Sequence, residues 1–96
     1  MQILVAYDVN TVKPEGRRRL RKVAKACEGV GQRVQWSVFE CSLTDAQLEK
    51  LRGKLLGIIS EREDSLRIYI LAGRREEVVE AHGRDTWVDP YDPLIV

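Results

Sequence analysis

The chain opens on an unbroken apolar run, Ile3-Leu4-Val5-Ala6-Tyr7, closed by a carboxylate, Asp8. Successive side chains of a strand point to opposite faces, so a run that is apolar at both parities reads as a central strand covered on both sides. Strands to flank it and a layer to cover it must come from the rest of a 96-residue chain. The same run makes Asp8 conspicuous, because burying an unpaired charge is costly. Asp8 is therefore expected to bind a cation, to pair with a base or to cap the next turn. A dense basic stretch follows, with Arg17, Arg18, Arg19, Arg21, Lys22 and Lys25. An acid at a strand tip beside such residues suits the handling of a phosphodiester.

Residues 2–9 form the first strand and Asn10 to Lys13 a polar loop, after which Pro14 suits the first turn of a helix. Leu20, Val23, Ala24 and Cys27 follow its i, i+3, i+4, i+7 stripe. Arg18, Arg21, Lys22 and Lys25 then share the opposite face, with Arg17 near its edge, and Gly29 and Gly31 end the helix. In the next segment Val34, Trp36 and Val38 alternate, and then Phe39, Cys41 and Leu43 alternate on the other parity. This change of phase predicts a bend, a bulge or two short strands meeting tightly.

Thr44-Asp45-Ala46-Gln47 is a capping box opening a second helix. Its buried stripe is Leu48, Leu51, Leu55 and Ile58, and the helix-weakening Gly53 and Gly57 signal close packing against another surface. Glu63-Asp64-Ser65 turns the chain into a strand at 66–71. Trp36 and Trp87 read as packing residues. The order strand, helix, strand(s), helix, strand, tail predicts one α+β domain of the βαββαβ split-sheet type over residues 1–96. Its tail, about 86–96 with Leu94-Ile95-Val96, would add an edge strand to its own sheet or to a partner's.

Hydrophobic residues make up 44% and charged residues 32% of the chain, which argues against disorder. No apolar segment approaches the roughly 20 residues that span a bilayer, and the start carries no signal pattern, so a cytoplasmic protein without membrane contact is expected. A domain this small gains from dimerisation. The net charge of +1 hides an asymmetry: residues 1–35 hold eight Lys/Arg against three Asp/Glu, while the remainder holds eight against twelve. A basic first third favours contact with a polyanion. Cys27 and Cys41 lack zinc-ligand spacing and fall on apolar positions, so they read as core thiols. His82, the only histidine, reads as a surface loop residue.

Several segments occur together in a recognisable order. They are Val5-Ala6-Tyr7-Asp8-Val9, the Arg/Lys-rich first helix, Gly31-Gln32-Arg33-Val34-Gln35-Trp36-Ser37-Val38-Phe39-Glu40 and Asp64-Ser65-Leu66-Arg67-Ile68-Tyr69. As an ordered set they resemble the CRISPR-associated (Cas) protein two family, the smaller universal partner in spacer acquisition. The resemblance implies a ferredoxin-like fold with an extra C-terminal strand that pairs with the partner subunit of a symmetric homodimer. It implies a metal-dependent endonuclease acting on single-stranded RNA, duplex DNA or both, and a bridge between dimers of the larger CRISPR integrase protein.

Carried over residue by residue, the resemblance makes Asp8 the catalytic residue and metal ligand, with one Mg²⁺ shared by Asp8 of both subunits. Arg17 and Arg19, with Arg18 and Arg21 beside them and Arg33 on a strand, would bind nucleic acid. Tyr7, Ser37 and Phe39 are candidate substrate contacts. A non-catalytic DNA-binding adaptor and a toxin-type ribonuclease on the same dimeric scaffold are the alternative readings. Phosphate contacts carry no base information, and no aromatic platform for single strands stands out in the sequence, so RNA and duplex DNA are not distinguished.

Overall fold

The computed structural model of the chain describes residues 1–83. Trp87 and the tail at 86–96 lie outside the described residues. Strand β1 (Gln2–Asp8) leads into helix α1 (Pro14–Glu28), strands β2 (Gly31–Gln35) and β3 (Val38–Ser42), helix α2 (Asp45–Ile58), strand β4 (Ser65–Leu71) and a single turn, α3 (Arg75–Val78). All pairings are antiparallel, and the sheet order is β2-β3-β1-β4. This is the ferredoxin-like βαββαβ arrangement, with β1 in the interior of the sheet.

One face of the sheet builds the core. Ile3, Val5 and Tyr7 of β1 and Phe39 and Cys41 of β3 pack with Val23, Ala26 and Cys27 of α1 and with Leu48, Leu51 and Leu55 of α2. The α2 stripe is the one its periodicity predicts, with Ile58 partly buried at its end. On α1 the stripe turns slightly from expectation: Gly16, Val23, Ala26 and Cys27 are buried, while Ala24 is half-buried and lines a cleft. The other parity of β1 is less covered than its apolar character predicts, since Leu4 and Ala6 are only half-buried. The two long helices, α1 and α2, lie on one side alone, so no helical layer of that kind covers those two residues within the described residues.

Caps and close approaches fix the elements. The capping box is present as expected: Thr44 Oγ1 accepts from Gln47 N at 3.2 Å, and Gln47 Oε1 accepts from Thr44 N at 2.8 Å. The phase change at residues 34–39 is a hairpin. Gln35 pairs with Val38, Trp36 and Ser37 form the turn, and the register shifts between Arg33 and Gln35. Among the described residues no non-glycine residue has a positive φ, so this is not a primed two-residue turn, and the irregularity beside it adjusts the register. After β4, Gly73 at φ +106° reverses the chain. Arg75 Nε then donates to Glu40 Oε2 at 2.7 Å, on the face that alternates away from Phe39 and Cys41.

The glycines correct one expectation. Gly53 and Gly57 are exposed, and a Cβ at either meets nothing within 4 Å, so they do not mark a packed helix face. Close packing occurs instead at Gly16, where a Cβ would overlap the Asn10 carbonyl; there α1 lies directly on the loop after β1. The same exchange therefore has opposite signs at two positions. Denaturant unfolding should show Gly16→Ala destabilised by about 1–3 kcal/mol through overpacking. Gly53→Ala should gain about 0.5–1 kcal/mol from helix propensity.

Candidate functional site

Strand β1 delivers Asp8 to the end of the sheet, where its neighbour across the β4 pairing is Ser65. The parity of β1 keeps Tyr7 in the core and turns Asp8 to the exposed side. Among the described residues the Asp8 carboxylate makes no hydrogen bond and no ion pair. Arg17, the first arginine after it, does not neutralise it. Its Nη1 donates to the carbonyls of Thr11 at 3.1 Å and Val12 at 3.5 Å, holding the loop instead.

Asp8 lies on the wall of a cleft of about 450 Å³ bounded by the end of β1, the exposed flank of α1 and the β2–β3 hairpin. Tyr7, Arg21, Arg33, Trp36 and Ser37 line it as well, over an apolar floor that includes Leu20 and Ala24. The hairpin is tied to β1 by Tyr7 N, which donates to the Ser37 carbonyl at 3.1 Å. The Arg33 guanidinium stacks over the Phe39 ring, 5.1 Å from its centroid, and its Nη2 lies 3.3 Å from Glu28 Oε1. Arg33 is thus oriented by a buried aromatic and a surface acid while still facing the cleft. Arg21 has no protein partner among the described residues.

Tyr7 and Phe39 stack with centroids 6.3 Å apart. The Tyr7 hydroxyl is the one buried side-chain polar atom without a hydrogen-bond partner among the described residues. Burial pushes its pKa up, and the Arg33 guanidinium, near enough to donate to the hydroxyl, partly offsets this.

Two expected contacts are placed elsewhere. Phe39 is 0% exposed, so within one protomer it supports Arg33 rather than meeting a ligand. Arg19 is engaged by Asp64: its Nε donates to Asp64 Oδ2 at 2.8 Å and its Nη2 to Oδ1 at 3.2 Å. That places Arg19 in the framework of the fold, whereas Arg18 and Arg21 stay exposed on α1, Arg18 only 3.8 Å from Glu15. Trp36 is a further correction, since it stands 88% exposed at the hairpin turn rather than packed. Cys27 and Cys41 are free, buried thiols, pushed up to about 11 and about 12 by burial. His82 is exposed and lies 2.8 Å from Glu80.

The residue that sequence reasoning missed is Asp64, read there only as part of a turn. Its side chain is fully buried. Besides the two Arg19 bonds, Oδ1 accepts from Asn10 N at 3.0 Å and Oδ2 from Ser60 N at 2.8 Å. The loop after β1, the middle of α1 and the end of α2 are thereby joined at one carboxylate. A Ser60-to-Asp64 turn with an arginine 45 residues upstream of Asp64 has no local signature that would reveal this.

The family described as "CRISPR associated protein Cas2" matches residues 1–78 of the chain. The chain belongs to the Cas2 family. It is 47% identical over 96 residues to the "CRISPR-associated endoribonuclease Cas2 1" of Moorella thermoacetica, covering 100% of both chains. It is 50% identical over 95 residues to the "CRISPR-associated endonuclease Cas2" of Halalkalibacterium halodurans, covering 99% of each. Among solved structures, Streptococcus pyogenes Cas2 superposes with a TM-score of 0.75 at 52% identity, over 86% of this chain and 100% of that one. Among the described residues, no helix is long and apolar enough to cross a membrane.

The Arg19 guanidinium, with help from the amides of Ser60 and Asn10, holds the Asp64 carboxyl at about 2, below its ordinary 3.8. A depressed carboxyl stabilises the fold fully above the unfolded value and loses that contribution as pH falls toward the folded one. Acid titration of this Cas2 chain should therefore remove on the order of 2 kcal/mol between about pH 4 and pH 2. Asp64→Asn should flatten that window and cost about 3 kcal/mol at neutral pH, because it takes the buried carboxylate from Arg19 and leaves it only the partly exposed Glu63, 3.4 Å away. Urea unfolding at a series of pH values reads both effects.

Proposed function

We propose that this chain is a Mg²⁺-dependent endonuclease of the CRISPR adaptation machinery, acting as a homodimer on single-stranded RNA, duplex DNA or both. The observation that carries the reading is the free Asp8 carboxylate at the wall of a cleft that also presents Arg21 and Arg33. A hydrolase for a phosphodiester needs an anionic group where a cation is to sit and cationic groups where the phosphates lie. The arrangement supplies both within one cleft. The names of the Moorella and Halalkalibacterium relatives, an endoribonuclease and an endonuclease, point the same way.

The donor set calls for two copies. Among the described residues of one protomer, no group of three or more His, Cys, Asp or Glu side chains could hold a metal ion. An exposed, unpaired Asp8 can, however, meet its symmetry mate across a two-fold axis. Two carboxylates suit Mg²⁺, which keeps several of its waters and asks for few protein ligands. Bound there, the ion would polarise a phosphoryl oxygen and stabilise developing charge.

The chain's own residues do the rest. Arg21 and Arg33, with Arg17 and Arg18 on the flank of α1, position the phosphates. Ser37, whose carbonyl fixes the hairpin to β1, offers a hydroxyl at the cleft. The half-covered Leu4 and Ala6, together with the exposed Tyr69, form the sheet face through which the two protomers pack. The dimer bridges dimers of the larger integrase protein in the cytoplasm.

A second reading has an observation of its own. Arg18, Arg21, Lys22 and Lys25 are all exposed on α1 and form a basic face whose contact with DNA needs no Asp8. Under that reading the dimer is an adaptor that binds duplex without cutting it.

Cleavage of labelled single-stranded RNA and duplex DNA, with Mg²⁺ and with chelator, separates the two. Asp8→Ala should lower Mg²⁺-dependent cutting by roughly 100-fold or more, the scale of several kcal/mol of lost transition-state stabilisation, and leave binding intact. Equal cutting by wild type and Asp8→Ala would assign the activity to a contaminant. Duplex bound but never cut by wild type would make the adaptor the better account.

A further inference from the structure

The most exposed large apolar side chain among the described residues is not on the sheet face but at the β2–β3 turn: Trp36, at 88%. An indole is among the largest apolar groups a chain can bury, and this fold leaves it in water. A single exposed apolar residue needs no explanation by itself. The surroundings of Trp36 do need one. It borders the 450 Å³ cleft on one side and a second hollow of about 330 Å³, lined by Arg33, Val34 and Gln35, on the other. Arg33 belongs to both hollows, so a cation lies beside each approach to the indole. Tyr7, Asp8 and Arg21 line the larger hollow as well.

A planar apolar surface and flanking cations together describe a nucleotide: a base to stack and phosphates to pair. We propose that Trp36 is a stacking platform for an unpaired nucleobase at the mouth of the Asp8 cleft, and that it favours single-stranded over duplex nucleic acid. A base inside a duplex is already stacked on both faces and offers the indole nothing, whereas a splayed base of a single strand can lie on it. Arg33, held over Phe39, then takes the adjoining phosphate and brings the next linkage toward Asp8. The ligand class rests on the nuclease reading, but binding in chelator tests the platform separately from cleavage.

The indole itself is the probe. In a Trp87→Phe background, Trp36 is the sole tryptophan. Oligouridylate RNA, added in chelator, should quench its fluorescence, and a duplex of equal length should not. Stacking on an aromatic is worth about 1–3 kcal/mol per base, so Trp36→Ala should weaken oligouridylate binding about 5- to 150-fold. The same variant should leave duplex affinity within about twofold, and Trp36→Phe should retain most of the single-strand affinity. Absence of quenching, no binding of oligouridylate by the wild type, or equal loss for both ligands would overturn the proposal. So would a Trp36→Ala protein that loses affinity only because its elution volume shows a broken dimer. Loss of Mg²⁺-dependent cutting in Asp8→Ala bears on the nuclease reading alone.

Discussion

The buried Asp64 carboxylate governs how this site is assembled. It accepts four hydrogen bonds, two from Arg19 and one each from the amides of Asn10 and Ser60, which fills the acceptor capacity of a carboxylate. Those partners come from the loop after β1, from α1 and from the turn that leads into β4. A buried acid of this kind is tolerable only when every lone pair has a donor, so the three segments cannot drift independently. The loop that follows Asp8 therefore starts from a fixed point.

Asp64 also determines which charges remain available. Three acids, Asp8, Glu63 and Asp64, lie at one end of the sheet, with Arg17 and Arg19 one helical turn apart or less on α1. Arg19 goes to Asp64 and, at 3.4 Å, to Glu63, and Arg17 to the carbonyls of Thr11 and Val12. Among the described residues Asp8 is left without a base, and Arg21, further along α1, is left without an acid. The separation of a free anion from a free cation across one cleft thus follows from how the framework uses the other pairs. Gly16 contributes sterically, because only a residue without a Cβ lets α1 lie against Asn10.

Much of this architecture is legible in the amino-acid sequence because it is written in local periodicity. The apolar β1 run, the Leu48–Leu51–Leu55 stripe and the Thr44–Gln47 box each state their structure within a dozen residues, and the ferredoxin-like order follows from them. What was not legible depends on partners distant in the chain. Arg19 and Arg21 look equivalent in the basic stretch, yet Asp64, 45 residues from Arg19, separates their roles. Trp36 alternates with Val34 and Val38 as a core residue would, but a turn at Trp36–Ser37 takes it out of the strand and into solvent. Gly53 and Gly57 carry no information about packing until the opposing surface is known to be open. The second face of β1 reads as covered because its apolar residues are real; the cover is simply not supplied by the helices.

The central claim is that one protomer holds half of a metal site and that Asp8 is that half. Titration of the wild-type dimer with Mn²⁺ in place of Mg²⁺, followed by the loss of the free-ion electron paramagnetic resonance signal, counts the ions bound. The account predicts one ion per two chains, abolished in Asp8→Ala while the elution volume stays that of the dimer. One ion per chain, or binding that survives Asp8→Ala, would contradict it.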